Sequence, residues 1–175
     1  IRGGDRKTLT PAGNFVINTH IHHFGQWLKS HQSAITLGGV GNYIAHNLIH
    51  HGPGTGIMLS GNEHILEYNE LHHLGQEMAD VGAFYMGRNW TQRGNIVRYN
   101  FFHDLSGPGE NYVNAVYLDD FSSGTIVHGN IFLRCATGIE IGGGRDNEVS
   151  NNIFIENNLG ISVDARGIGW AKYFF

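Results

Sequence analysis

The chain has 175 residues, enough for one domain with a sizeable core. Charged residues are only 15% of it, while Gly (26), Asn (17) and His (12) are abundant, which argues against a helical bundle and for short strands joined by tight turns. A net charge of −4 gives no reason to expect nucleic acid, no apolar run is long enough to span a membrane, and a single cysteine, Cys135, excludes an intramolecular disulfide.

In chain order, the same unit recurs. It begins near residue 13 ("GNFVINTHIHH"), near 41 ("GNYIAHNLIHH") and near 62 ("NEHILEYNELHH"). Further copies begin near 94 ("GNIVRYNFFHD"), near 124 ("GTIVHGNIF") and near 146 ("DNEVSNNIF"). Each is followed by a second strand-like part such as "GIMLSG", "GAFYMG", "AVYLDD", "GIEIGG" or "GISVDA". Both parts alternate with period 2 and favour β-branched and aromatic residues. The best helical candidate is the insertion around Phe24–His31.

Asn47, Asn69, Asn100, Asn130 and Asn152 mark the period, at separations of 22, 31, 30 and 22. Thr19 holds the equivalent place 28 residues before Asn47. A 22-residue unit with short strands and a fixed turn Asn predicts an all-β fold, a right-handed parallel β-helix solenoid of about six rungs forming a single domain over 1–175. Stacked rungs are about 4.8 Å apart, so the Asn side chains can form a hydrogen-bonded ladder. The expected core is Ile44, Ile49, Ile57 and Leu59 in one rung and Ile65, Leu71, Ala83 and Tyr85 in the next. An antiparallel sandwich would not explain the period. The chain starts at Ile1, shows no signal peptide and has no polar cap at either end, so a longer parent β-helix is expected.

Numbering the second part from its small residue (Ala34, Gly56, Gly82, Ala115, Gly138, Gly160) gives outward columns. One reads Thr36, Met58, Phe84, Tyr117, Glu140, Ser162, and the next Gly38, Ser60, Met86, Asp119, Gly142, Asp164. Asp119, Glu140 and Asp164 then share one face, with Asp119 and Glu140 roughly 8 Å apart at Cα. Such a carboxylate pair suits glycoside hydrolysis, one group as acid and one as nucleophile or base. The bland alternatives are a solvated acidic face or one binding a cation such as calcium. The insertions "GQEMAD" and "SGPGENYVN" border this patch, but on a straight strand Asp80 would lie roughly 20 Å from Asp119, and could join it only if its loop curls back.

His22, His50, His72 and His103 share one rung position, and His23, His51 and His73 the next, with Asp104 in the fourth copy. A linear imidazole stack lacks the tetrahedral geometry of zinc, so the columns read as stacked turns and no metal or cofactor is expected. His103 and Asp104, expected beside the acidic patch, are the exceptions, as a substrate contact or proton carrier. In "GRNWTQRGN", Trp90 could stack on a sugar and Arg88 pair with a carboxylate; the alternative is a turn packed on the core edge. "IGGGRDN" precedes no helix and is a tight turn, and Asp164 and Arg166 in "ISVDARG" could simply pair.

The segments "DVGAFYMGRNWTQRGNIVRYNFFHDL", "NAVYLDDFSSGTIVHGNIF" and "GIEIGGGRDNEVSNNIFIENNLGISVDARG" resemble right-handed, pectin-lyase-like β-helix proteins of polysaccharide-degrading bacteria. Among named families they look most like glycoside hydrolase family 141, with fucosidase and xylanase activities. The resemblance covers roughly 41–170. It implies an extracellular or periplasmic protein acting on a polysaccharide or oligosaccharide, with Asp80 and either Asp119 or Asp120 as catalytic aspartates. Strand geometry instead pairs Asp119 with Glu140, so all four carboxylates stand as catalytic candidates. Phe84, Arg88, Trp90, His103, Tyr117 and Asp164 stand as substrate contacts. The competing functions are a uronate lyase or epimerase, and a non-catalytic carbohydrate-binding β-helix. Lyase chemistry wants a base and a basic groove, and lysine is limited to Lys7, Lys29 and Lys172.

Overall fold

The computed structural model describes residues 1–108 and 113–166. Part of the Ser106–Asn114 insertion, and the terminal "WAKYFF", therefore lie outside the described residues. The rest forms nineteen strands in three wholly parallel sheets, a β-helix.

The largest sheet stacks β1 (Arg2–Gly3), β4 (Ile35–Gly39), β7 (Ile57–Leu59), β10 (Val81–Gly87), β13 (Val113–Asp119), β16 (Thr137–Gly142) and β19 (Leu159–Asp164). The second stacks β2 (Phe15–Ile17), β5 (Tyr43–Ala45), β8 (Ile65–Glu67), β11 (Ile96–Arg98), β14 (Ile126–His128) and β17 (Glu148–Ser150). The third stacks β3 (His20–His22), β6 (Leu48–His50), β9 (Glu70–His72), β12 (Phe101–Leu105), β15 (Ile131–Cys135) and β18 (Ile153–Ile155). The Phe24–His31 segment is not helical; it is a loop of bends and turns, with Trp27 fully exposed. Among the described residues, no helix is long and apolar enough to cross a membrane.

Two corners set the coil. Before each ladder residue the chain turns through left-handed backbone, at Asn18, His46, Tyr68, Tyr99, Gly129 and Asn151. The ladder residue then repays the turn. Asn69 Oδ1 accepts from Asn47 N–H and Nδ2 at 3.0 and 2.9 Å, and Asn69 Nδ2 donates to Ile44 O at 3.0 Å. The pattern repeats through Asn100, Asn130 and Asn152, so every polar atom of a buried amide finds a partner. The second corner uses left-handed His23, His51, His73, Asp104, Arg134 and Glu156.

A second ladder escaped the sequence reading. It runs Asn14, Asn42, His64 and Asn95, and a separate Thr125–Asn147 bond continues the motif. His64 is fully buried and stands in for an amide: its Nδ1 accepts Asn42 N–H at 3.0 Å, so its Nε2 carries the proton toward Ser60 O at 3.2 Å.

The core is a column of aliphatics, with Ile44, Ile49, Ile57 and Leu59 buried as expected, and with Phe102, Phe132 and Phe154 stacked at 5.2 and 4.9 Å. In the next coil, Leu66 rather than Ile65 points in, and Phe84 and Met86 join Ala83 where Tyr85 had been expected.

Candidate active-site cleft

The register of β10 explains that exchange. Phe84 pairs with Ile57 below and Val116 above, so the small residue equivalent to Gly56 is Ala83, not Gly82. "VGAFY" offers two adjacent small residues, and choosing the first slips the register by one, which flips every side chain to the other face. Phe84 is therefore fully buried in the core rather than on the outer face where a substrate contact had been expected. Tyr85 takes its place outside, between Met58 and Tyr117, and Gly87 rather than Met86 lies beside Asp119.

Tyr85 Oη donates to Asp119 Oδ2 at 2.9 Å, and Tyr117 Oη to Asp80 Oδ1 at 3.0 Å. The two phenols meet edge to face at 5.4 Å. Burial, with Asp119 beside it, pushes the Tyr85 hydroxyl pKa up. Burial does the same for Tyr117, Arg166 opposing and Asp119 and Asp80 adding, so both stay neutral donors. Asp80 adopts left-handed backbone just before β10, and buried Val81–Phe84 break the in–out alternation. The chain bends at Asp80, before the strand begins, and Tyr117 and Arg166 link the Asp80 carboxylate to that of Asp119. Both carboxylates line one cavity of about 330 Å³, with Met58, Met78, Tyr85 and Arg88.

Arg166 organises the remaining acids. Its guanidinium pairs with Asp119, with Asp164 (2.7 Å), with Asp120 (3.2 Å) and with Glu140 (3.5 Å). Burial works against its charge, but hydrogen bonds to Asp164, Tyr117 and Asp120 outweigh it and raise its pKa. Gly142 makes the room, since a Cβ there would sit 2.7 Å from Arg166 Cζ. The Asp164–Arg166 pairing was legible in sequence; the gathering of three further carboxylates was not.

Asp120 is buried in the turn after β13, clamped between Arg166 and Arg88 Nε (3.1 Å). Tyr117 is only 5% exposed and is covered by Arg166, whose Cζ lies 5.9 Å from the ring, so it offers no open stacking platform. Trp90 is part-exposed in a turn with its ring 6.3 Å from that of Phe121. His103 does not border the acids. It lies on β12 in the third sheet, bonded to Asp104 (2.7 Å) and Glu70 (3.0 Å), because the corner before β13 carries it to another face. The histidine columns do stack, with ring centroids 4.6–5.3 Å apart between coils.

This chain belongs to the family described as right handed beta helix region, which matches residues 33–172. It is similar to a cell surface glycoprotein of Methanothermus fervidus, 29% identical over 127 residues, which are 73% of this chain and 21% of that protein. The chain thus spans about a fifth of the length of the curated relative it matches. No solved structure matches it.

Proposed function

We propose that this β-helix is a glycoside hydrolase of the family-141 kind, acting on a polysaccharide outside the cell through Asp80 and Asp119. The observation that carries the reading is the convergence of these two carboxylates on one cavity, each accepting a hydrogen bond from a different tyrosine. Asp119, buried between Tyr85 and Arg166, has only donors around it and serves as nucleophile or base. Asp80, exposed with one oxygen held by Tyr117, serves as the proton donor at the cavity mouth. Met58 and Met78 give the cavity an apolar wall for a sugar face, and Arg88 rims it. Glu140, Asp120 and Asp164 hold Arg166 in place.

The chemistry needs no cofactor. Arg166 supplies positive charge where a calcium ion would sit among these acids. A uronate lyase is less well supported: Tyr85 and Tyr117 are phenols with raised pKa, hence poor bases, and Arg166 is already saturated by carboxylates.

The test is hydrolysis of fucosylated and xylan-type oligosaccharides by the wild type, Asp80→Asn, Asp119→Asn, Asp120→Asn and Glu140→Gln. Turnover abolished in the first two variants, and only reduced in the others, is the expected result. Products carrying an unsaturated uronate would mark a lyase. The second reading is a carbohydrate-binding β-helix at the cell surface, a location that the similar cell surface glycoprotein supports. It requires sugar binding without turnover, unchanged in all four variants.

A further inference from the structure

The third sheet carries a separate constellation. Glu70 and His72 stand two residues apart on β9 and so share its outer face. His103 on β12 pairs in register with His72, with ring centroids 4.6 Å apart. The ligand-capable atoms of Glu70, His72 and His103 all lie within 4.8 Å of one another.

The surroundings orient these atoms. Asp104 takes two hydrogen bonds from Arg134, at 2.6 and 3.0 Å, and meets His103 Nδ1 at 2.7 Å. A carboxylate in such a bidentate pair only accepts, so His103 Nδ1 is the donor and Nε2 is left facing Glu70 Oε1 at 3.0 Å. His72 spends Nδ1 on His73 Nδ1 at 2.7 Å, leaving Nε2. A carboxylate bonded to the far nitrogen of a ligating histidine is the recurrent support of metal sites, where it fixes tautomer and ring plane.

We propose that Glu70, His72 and His103 bind one divalent transition ion of the zinc class, bridging two adjacent coils, with Asp104 as a positioning residue. Two imidazoles and one carboxylate match the zinc donor set and leave a coordination position open to water or to an incoming carboxylate. The histidine column alone lacks this geometry because its rings are collinear. Glu70, at the other end of β9, lies off that line. The site shares no residue with the Asp80–Asp119 cavity and stands or falls independently of it.

The experiment is calorimetric titration of ZnCl₂ into EDTA-stripped protein, with circular dichroism to verify folding of each variant. One ion per chain is expected in the wild type. Glu70→Gln and His103→Ala should each weaken binding at least tenfold, and Asp104→Asn by about ten- to a hundredfold. His20→Ala, which removes the imidazole paired with His50 Nε2 at 2.6 Å, should leave it unchanged. Glu70 is exposed, so Glu70→Gln stays informative if a histidine variant fails to fold. No zinc binding in the wild type, or binding that survives Glu70→Gln and is lost in His20→Ala, overturns the proposal.

Discussion

Tyr85 and Asp119 sit on adjacent coils, and the phenol donates to the carboxylate across the gap at 2.9 Å. Neither is next to the other in any sequence pattern, yet this bond holds the buried acid of the cavity. Tyr85→Phe removes the donor and little volume. A hydrogen bond to a charged group contributes about 1.5–3 kcal/mol, and part-exposure of Tyr85 places the loss near the lower end. Urea unfolding of the variant measures it, and a fall in kcat with little change in KM is expected in the hydrolase assay.

Asn100 lies mid-ladder. Its side chain accepts from Asn69 N–H and Nδ2 and donates to Leu66 O, Arg98 O and Asn130 Oδ1. Asn100→Leu leaves Asn69 N–H without its acceptor and takes the side-chain donor away from Leu66 O and Asn130 Oδ1, and should cost about 3–5 kcal/mol, at about 1–3 kcal/mol per unsatisfied group. Asn152→Leu, part-exposed, should cost less. Chemical denaturation midpoints of the two variants decide the order.

The register of β10 has a direct test. Phe84→Ala empties a fully buried site and should destabilise by about 3–5 kcal/mol. Were Phe84 a surface sugar contact, the same change would weaken ligand binding and leave the melting temperature alone.

His64 is buried and neutral, and burial lowers its pKa, with only the Ser60 carbonyl opposing. The unfolded chain binds this proton more readily than the folded one. Stability is therefore full above about pH 6.5 and falls as pH drops below that value toward the folded pKa. His64→Asn preserves the ladder chemistry without the titration. Its melting temperature should fall less between pH 7 and pH 5 than that of the wild type.

Arg166 is the one cation shared by Asp119, Asp120, Glu140 and Asp164 among the described residues. Arg166→Gln leaves Asp119 and Asp120 buried with less compensation. A loss of about 3 kcal/mol is expected, the low end for a broken buried pair because the guanidinium is 22% exposed. Thermal unfolding gives the figure. Gly142→Val, which occupies the guanidinium's space, should reproduce much of it.

The coil was legible because Asn47, Asn69, Asn100, Asn130 and Asn152 repeat a turn chemistry that one sequence displays several times over. His64 hid the second ladder because an imidazole imitates an amide there only through its tautomer. The outward columns failed at Phe84, where two small residues in succession left the register open by one. The resemblance named Asp80 with either Asp119 or Asp120, while strand arithmetic held Asp80 apart from Asp119; the missing information was the left-handed bend at Asp80. Glu70 went unnoticed because its link to His103 crosses 33 residues and depends on two strands in register.

Among the described residues, each strand is bonded to its counterparts in the coils directly before and after it. Tension applied along the axis would therefore load the coils in series and peel them from an end, each release lengthening the chain by one period. The Asp80–Asp119–Arg166 assembly ties together β10, β13 and the residues after β19, and so acts as a rivet across several coils. A chain pulled to that point should pause there, and a ligand lodged in the cavity should lengthen the pause.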